Sequence, residues 1–447
     1  MEKDLTHGPV MGSMLRFAVP MILGNLLQQC YNVADTLIVS RFLGPDALAA
    51  VGSSFSLMTF LTSILLGLCM GSGVVFSIRF SQKDEQALRE SARASFVLIA
   101  ALAAVLNGIA FLCLDDIRLF LRVLDAPIWE MMRSYLLVIF GGIAGIFLYN
   151  YFACFLRAIG DSMTPLLFLA VSALLNIGLD LWFVAGLNRG VSGTAEATVI
   201  AQYISGIGLG IFALIRCPQL RPRRGDGMVR WSKIKEIANF SLLTCVQQSV
   251  MNLGILMVQG LVNSFGPTVM AAFAAAVKID AFAYMPVQEF GNAFSTFIAQ
   301  NYGARRSGRI RAGLKGAIAA SMAFSAAVST LVWLFGRQLM QLFIDAGNTD
   351  IIQEGVRYLH IEGTFYCGIG CLFLLYGLYR ALGKPGMSVV LTVFSLGTRV
   401  ALAYILSAVP AVGVVGIWWS VPIGWFLADT IGLLYYIRCR KTLLPWS

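Results

Sequence analysis

Two carboxylates stand inside long apolar stretches of this sequence, where a charge is costly. Asp35 lies in YNVADTLIVS, and Asp180 lies in LLNIGLDLWFV, four residues after Asn176. A spacing of four places Asn176 and Asp180 on one face of a helix. An ionisable residue inside an apolar span is unfavourable unless it meets a partner or a water-filled cavity. Each of these residues is therefore a candidate for function.

A hydroxyl group completes the candidate set. Thr198 falls in the first two turns of the next apolar stretch, which predicts a common depth for Asp35, Asn176, Asp180 and Thr198. Two carboxylates, an amide oxygen and a hydroxyl suit coordination of Na⁺. Two desolvated carboxylates also suit proton capture, because burial and mutual repulsion both favour the protonated form. The alternative is hydrogen bonding across helices for packing alone; we favour a cation site because packing seldom needs two carboxylates.

The composition shows what kind of elements must position these residues. The chain is 58% hydrophobic and 13% charged, whereas soluble domains are about a quarter charged. Apolar segments long enough to span a bilayer recur along its whole length. We predict an all-α integral membrane protein with twelve transmembrane helices. The predicted spans lie at roughly 14–40, 47–77, 91–114, 132–156, 163–186, 193–215, 234–262, 269–299, 312–335, 355–379, 386–408 and 413–437.

The distribution of basic residues predicts the topology. Most of the 33 Lys and Arg residues fall in the N-terminus, the even-numbered loops and the C-terminus. Positive residues prefer the cytoplasm, so we expect both termini to be cytoplasmic. The net charge of +10 then reflects topology and contact with anionic lipid rather than nucleic-acid binding. The polar start, MEKDLTHGPVMGSMLRF, predicts that no signal peptide is cleaved.

The second half of the chain repeats the first. FLRAIGD at 155–161 matches LYRALGK at 378–384, and GVSG at 190–193 matches GVVG at 413–416, both at an offset of 223. Gly44-Pro45 matches Gly266-Pro267 at 222. We predict two pseudo-symmetric lobes of six helices, at 1–215 and 234–447, joined by a cytoplasmic linker at 216–233. Six helices return the chain to its starting side, so the lobes are parallel, a common transporter architecture with the substrate path between the halves.

The acids do not follow the repeat. At an offset of 223, the equivalents of Asn176 and Asp180 are Arg399 and Ala403, and at 222 the equivalent of Asp35 is Met257. The scaffold therefore does not require the acids, which belong to a task of the first half.

The second half has ionisable residues of its own inside or beside apolar spans. Glu362 and Arg399 suit a buried pair between neighbouring helices, for which a structural and a functional role remain equally open. The other candidates of the second half are Glu289, Asp280 and Lys278.

A proline lies on the same predicted helix as Asp35. Pro20 removes a backbone hydrogen bond and predicts a kink. The kink is either a static bend or a hinge that responds to the state of Asp35.

The sequence resembles the multidrug and toxic compound extrusion (MATE) family of cation-coupled efflux transporters. The likeness lies in FAVPMILGNLLQQCYNVADTLIVSRFLG of the first span, RAIGDSMTP before the fifth and FSTFIAQNYGARR at the end of the eighth. It implies a V-shaped, two-lobed bundle, alternating access, and drug efflux driven by inward flow of H⁺ or Na⁺. It also implies a location in the cytoplasmic (inner) membrane of a prokaryote.

Similarity to the DinF-like bacterial and archaeal branch implies particular site residues. Its cation site matches Asp35, Asn176, Asp180 and Thr198, and its bending proline matches Pro20. Another branch uses acids of the seventh and tenth helices. This chain departs from that pattern, since the seventh span has only Glu236 at its inner end, whereas the tenth span has Glu362.

These observations predict an antiporter that exports lipophilic organic cations. A proton or Na⁺ from outside occupies the Asp35/Asp180 site, shifts the helix packing around Pro20 and weakens the hold on the substrate. Met and aromatic side chains that face the cleft supply adaptable apolar contact. We expect a monomer in contact with membrane lipid, with drugs and other small organic cations as partners.

The alternative within the same superfamily is a flippase for lipid-linked oligosaccharides. Such a protein would line its cavity with cationic residues, whereas Arg399 and Lys278 are the only basic residues more than three positions from the ends of the predicted spans. A receptor or assembly protein would need soluble domains. The sequence shows no Ser/His/Asp set, phosphate loop or metal-ligand spacing among its nine cysteines, so we expect no enzyme, no cofactor, and no metal beyond Na⁺ at the Asp35 site.

Overall fold

A computed structural model of the chain describes residues 4–116, 126–221 and 230–444. The described residues form helices, turns and irregular segments, with no strand. The helices of the first half are α1 (Val10–Leu43), α2 (Pro45–Ser81), α3 (Glu85–Leu112), α4 (Ala126–Gly141), α5 (Ile143–Ala158), α6 (Met163–Asp180) and α7 (Gly190–Arg216).

The second half follows the same order. Its helices are α8 (Trp231–Asn263), α9 (Pro267–Gly303), α10 (Ser307–Gln341), α11 (Thr349–Thr364), α12 (Tyr366–Ala381), α13 (Pro385–Ser407) and α14 (Val414–Leu443). Within the described residues, ten helices are long and apolar enough to cross a membrane, and two bent pairs raise the number of spans to twelve. Twelve is the number that the hydropathy of the sequence predicts.

The two bent pairs are the fourth and tenth predicted spans, which the sequence presented as continuous. The α4–α5 pair bends by 45° at Gly141-Gly142, and the α11–α12 pair bends by 51° at Phe365. Adjacent glycines weaken a helix at the first break. At the second break, Ser329 and Ser325 of α10 donate hydrogen bonds to backbone carbonyls on either side of Phe365. Side chains that insert into the helical ladder produce such bends.

The repeated glycines share an unusual backbone conformation. Each matched pair has positive φ angles in both halves, at 86° and 94°, 91° and 76°, and 64° and 53°. The pairs are Gly44 with Gly266, Gly160 with Gly383, and Gly190 with Gly413. L-residues rarely adopt this region, and glycine does so without a steric penalty. The repeat in the sequence is therefore a repeat of turns in the fold.

We expect Gly44→Ala to lower the stability of the protein. Gly44 lies at φ 86° and ψ −175°, a region nearly restricted to glycine, where a side chain costs about 1–3 kcal/mol. Nothing lies within 4 Å of the added methyl group, so the cost comes from the backbone alone. The measurement is the thermal unfolding midpoint of the purified protein. Gly52→Ala on α2 is the matched control, because it also meets nothing within 4 Å and has no positive φ. Equal losses in both variants would contradict this explanation.

The described residues pack into two compact units. The first contains Leu23–Cys245, and the second combines Leu5–Ile22 with Val246–Ser447. Helix α1 therefore contributes its first 13 residues to the second unit and the rest, with Asp35, to the first. The predicted lobes at 1–215 and 234–447, which rest on the repeat, stay a prediction.

Each unit has its own aromatic core. In the first unit, the rings of Phe76, Phe155 and Tyr151 pack with centroids 5.4–6.2 Å apart. In the second unit, Trp418 stacks on Phe273 at 5.4 Å and meets Tyr358 edge-on at 4.9 Å.

The segment before α1 is held firmly within the second unit. Gln300 accepts a hydrogen bond from the Leu5 backbone N–H at 2.9 Å, and Arg309 donates to the carbonyls of Leu5 and Gly8 at 3.0 and 2.7 Å. The first turns of α1 are thereby fixed to the junction of α9 and α10.

Candidate functional site

Helix α6 presents its polar residues to the protein and its apolar residues outward. Asn176 and Asp180 are 2% and 0% exposed, whereas Leu174 is 73% exposed. Val171, like Leu174, lies on the exposed face. This arrangement is expected when the surrounding solvent is hydrocarbon, because a buried polar group can then find partners only inside the protein.

The backbone changes its winding directly after Asp180. Helix α6 ends at that residue and Leu181–Gly186 continue as a π-helix, a feature that is frequent at functional sites. Arg189 closes the turn that follows, since its guanidinium pairs with Glu196 of α7 and lies 5.7 Å from the centroid of the Phe183 ring. The end of α6 and the start of α7 are thus fixed together beside Asp180.

The carboxyl groups of Asp35 and Asp180 lie within hydrogen-bonding reach of each other. Oδ1 of Asp35 and both Oδ atoms of Asp180 are buried, and among the described residues no group donates a hydrogen bond to them. Two ionised carboxylates repel, and neither can donate to the other. This contact therefore needs a proton or a metal cation between the two groups.

The amide and the hydroxyl lie on the same side of the site. Asn176 Nδ2 donates to Thr198 Oγ1 at 3.3 Å, which leaves Asn176 Oδ1 buried and without a partner among the described residues. A small cavity borders both side chains. Its lining residues are Tyr31, Leu169, Ser172, Ala173, Asn176, Thr198, Ala201 and Gln202. The structure thus brings Asp35, Asn176, Asp180 and Thr198 together within the first unit.

Two tyrosines belong to this group and were not predicted. Tyr31 and Tyr135 lie within electrostatic range of both Asp35 and Asp180. Tyr31 stands four residues before Asp35, so the helical period alone could have identified it. Tyr135 lies on α4, and no local spacing relates α4 to α1 or α6. Thr194, which shares a face with Thr198, instead donates to the Val191 carbonyl of its own helix at 2.8 Å.

The candidate residues of the second half lie in two separate places. Glu362 lies beside Asp280, and Arg399 is within electrostatic range of both acids. Glu289 lies elsewhere, where Asn292 donates to its carboxylate at 3.4 Å and accepts from Arg380 at 3.2 Å.

Glu236, at the inner end of the seventh predicted span, is already paired. Its carboxylate meets Arg79 at 2.6 Å and Lys233 at 3.4 Å within the first unit. The acid of that span is therefore part of an ion-pair network in the first turns of α8, away from the apolar part of that helix.

Pro20 is buried in α1, which continues as a helix through it to Leu43. It lies two residues before the point at which α1 passes from the second compact unit to the first. Asp35 lies beyond that point, on the first-unit part of the helix.

No group of three or more His, Cys, Asp or Glu side chains that could hold a metal ion occurs in the described parts of the chain. The Asp35/Asp180 group instead offers two carboxylates with neutral oxygens. Oxygen ligands of this kind suit hard cations and protons.

One family profile matches this chain twice. The MatE family profile matches residues 20–182 and 242–405. The two matches begin 222 residues apart and end 223 residues apart, the offsets that the internal repeat predicts. Together they cover well over half of the chain.

Relatives extend over almost the full length. A probable multidrug resistance protein of Bacillus subtilis, YpnP, is 28% identical and covers 97% of this chain and 96% of its own. The DNA damage-inducible protein F of Escherichia coli is 25% identical over 81% of this chain and 78% of its own.

Solved structures show the same fold. The outward-facing structure of a multidrug resistance MATE family transporter superposes with a TM-score of 0.89 and 23% identity, and covers 98% of both chains. The predicted all-α membrane fold of two six-helix halves is confirmed by this likeness. This chain is a multi-pass membrane protein and belongs to the MatE family, the multidrug and toxic compound extrusion transporters.

Proposed function

We propose that this protein is a cation-coupled antiporter that exports lipophilic organic cations across the cytoplasmic membrane. The observation that carries the proposal is the contact between the buried carboxyl groups of Asp35 and Asp180, which lacks a donor among the described residues. The contact is stable only when a proton or Na⁺ occupies it, so occupancy changes the packing of α1 against α6. The multidrug resistance names of relatives such as YpnP support drugs as the exported class.

The coupling follows from alternate occupation of one site. With H⁺ or Na⁺ bound, the repulsion between the two carboxylates is removed and α1 packs closely on α6. Without the cation, two like charges in a desolvated site favour separation of the helices or entry of the next cation. A substrate that binds one of these packings better than the other is released when the cation arrives. Inward cation flow thus drives outward movement of the drug.

The experiment that tests this function is transport in vesicles. The purified protein is reconstituted into proteoliposomes, and a panel of fluorescent organic cations is followed while the pH gradient and the Na⁺ gradient are varied separately. We expect efflux that depends on one of the two gradients and stops when that gradient is collapsed. Efflux of none of the cations under either gradient, from protein that is folded by thermal unfolding, would overturn the proposal.

Lipid-linked oligosaccharide flipping is the competing function, and the same vesicles test it. Flipping of a labelled pyrophosphate-linked lipid without organic cation efflux would favour the flippase. The buried acid pair of the first unit argues against that outcome, because it would repel a pyrophosphate. We place both termini in the cytoplasm, consistent with the excess of Lys and Arg in the predicted cytoplasmic loops, and propose that the protein acts as a monomer.

Removal of the Thr198 hydroxyl provides a more local test. We expect Thr198→Val to weaken the apparent affinity for the coupling cation by about fivefold, because a hydrogen-bonding partner worth about 1 kcal/mol is lost. The measurement is the cation concentration that gives half-maximal efflux.

Thr194→Val is the matched control for Thr198→Val, one turn earlier on α7. The Thr194 hydroxyl donates to the Val191 carbonyl and should not contribute to cation affinity. An equal loss of affinity in both variants would show that the effect comes from helix packing and not from the site.

A further inference from the structure

The segment between α6 and α7 covers Asp180 on the side that the topology predicts to face outward. Its π-helical turn, Leu181–Gly186, carries Phe183 three residues beyond Asp180. Phe183 is 8% exposed and Asp180 is 0% exposed, whereas Trp182 between them is 58% exposed. Asp180 and Phe183 therefore lie on the buried side of the segment, with the ring about one turn nearer the predicted outer end.

Arg189 holds the Phe183 ring from the end of the same turn. Its guanidinium lies 5.7 Å from the centroid of that ring, which is within cation–π range, and pairs with the carboxylate of Glu196 on α7. The Arg189 backbone N–H donates to the Phe183 carbonyl at 3.0 Å. Trp182 packs on the same ring, with centroids 5.3 Å apart. We call Phe183, Arg189 and Glu196 the outer clasp.

The internal repeat shows that the turn does not require the charges of the outer clasp. At the offset of 223, no member of the clasp has a charged counterpart. The pairs are Phe183 with Leu406, Arg189 with Val412 and Glu196 with Trp419. Gly193 packs against the Cβ atoms of the first two members in its own half, and Gly416 packs against the side chains of their counterparts. One turn is thus closed with an ion pair in the first half and with apolar residues in the second, so the charges serve a task of the first half.

The ion pair of the clasp is suited to opening. The side chains of Arg189 and Glu196 are 51% and 29% exposed, and a partly exposed ion pair adds little to stability. Apolar contacts, such as those of Val412 in the second half, would hold the turn more firmly. The partly exposed Glu196 carboxylate can also attract a cation from solution, which then competes with the guanidinium for it.

We propose that the outer clasp is the lid through which the coupling cation reaches Asp180 from outside. A cation at the Glu196 carboxylate weakens its hold on Arg189, the guanidinium leaves the Phe183 ring, and the ring turns away from the buried acid pair. The clasp therefore sets how fast the cation enters and leaves, whereas the affinity is set by the four residues of the site beneath it. This inference rests on the proposed coupling function and adds its route of entry.

Chemical labelling of the purified protein tests this route without transport. A water-soluble carbodiimide modifies carboxyl groups, and mass spectrometry gives the rate at which the peptide containing Asp180 is modified. We expect slow labelling in the native protein and labelling about fivefold faster when Arg189→Gln and Glu196→Gln are combined, because the latch is lost. Phe183→Ala removes the ring itself and should accelerate labelling by about tenfold or more. The proton concentration at half-maximal labelling should stay within about twofold in the double variant, which removes both charges of the pair and leaves the site untouched.

A conservative variant and a reference carboxylate complete the test. Arg189→Lys keeps the charge and should label Asp180 within about twofold of the native rate. If the clasp only braces the turn, the double variant will lower the thermal unfolding midpoint without changing the labelling rate, and the proposal fails. It fails equally if native Asp180 is labelled as fast as the exposed Asp46.

Two further outcomes keep the result interpretable. Should Phe183→Ala fail to fold, the double variant still decides the question, because it changes only partly exposed side chains. Gated labelling of Asp180 in a protein that shows no gradient-driven efflux would support the lid and refute the transport proposal alone. Failure of this inference is thereby distinguishable from failure of the proposed function.

Discussion

Asp180→Asn should abolish cation-driven efflux while the protein remains folded. Asp180 is fully buried against Asp35, and the amide can neither accept the coupling proton nor supply the charge that holds Na⁺. Loss of one charged partner at a buried site is worth about 3 kcal/mol or more, which corresponds to about a hundredfold in cation affinity. The measurement is gradient-driven efflux in proteoliposomes at saturating and limiting cation concentrations. Asp35→Asn, at the half-buried partner, should act in the same direction.

Asp161, just before the helix α6 that carries Asp180, supplies the control. Asp161 accepts hydrogen bonds from the backbone N–H groups of Met163 and Thr164 at 3.1 and 3.0 Å and so caps the first turn of α6. Asp161→Asn retains a capping oxygen and should keep coupled efflux. Substrate counterflow, which needs no net cation movement, should survive in Asp180→Asn and shows that the carrier is intact. Full cation-coupled efflux in both Asp180→Asn and Asp35→Asn would refute the site.

Much of the fold follows from the sequence because a bilayer leaves few choices. Backbone polar groups in hydrocarbon must pair within the segment, so long apolar runs become helices. The spans and the repeat follow from that rule and from glycines such as Gly44 and Gly266, which need positive φ. The break at Phe365 does not follow, because Ser325 and Ser329 of α10 stabilise it from another part of the sequence.

The sequence predicts only those parts of the candidate site that follow from spacing within one helix or from depth along a span. Asn176 and Asp180 share a face because they are four residues apart. Asp35 shares their depth because about as many residues separate Asp35 from the outer end of its predicted span as separate Asp180 from the end of its own. Tyr135 and the pairing of Asp280 with Glu362 depend on how distant helices pack. Glu289 shows the converse, since an acid in an apolar span is here engaged with Asn292 and lies apart from the other two acids.

Pro20→Ala should stabilise the protein and slow its transport. Proline inside a helix costs about 3 kcal/mol because it removes a hydrogen bond and clashes with the preceding turn. Alanine restores the bond to the Arg16 carbonyl, so we expect a gain of about 1–3 kcal/mol. The first turns of α1 are fixed in the second unit through Leu5 and Gly8, whereas Asp35 belongs to the first. A stiffer α1 between them should lower turnover by about tenfold, since hinge positions set the rate of conformational steps.

The informative result in Pro20→Ala is that stability rises while turnover falls. Pro422 is also buried inside a helix, α14, but that helix lies wholly in the second unit, whereas Asp35 lies in the first, so Pro422→Ala should change stability without a comparable loss of turnover. Cation affinity should stay within about twofold in Pro20→Ala, because the site residues are untouched and only the step after binding is slowed. If Pro20→Ala transports at the native rate, Pro20 is a static bend, and the occupancy of the Asp35 site must reach the rest of the protein through α6 and α7 instead.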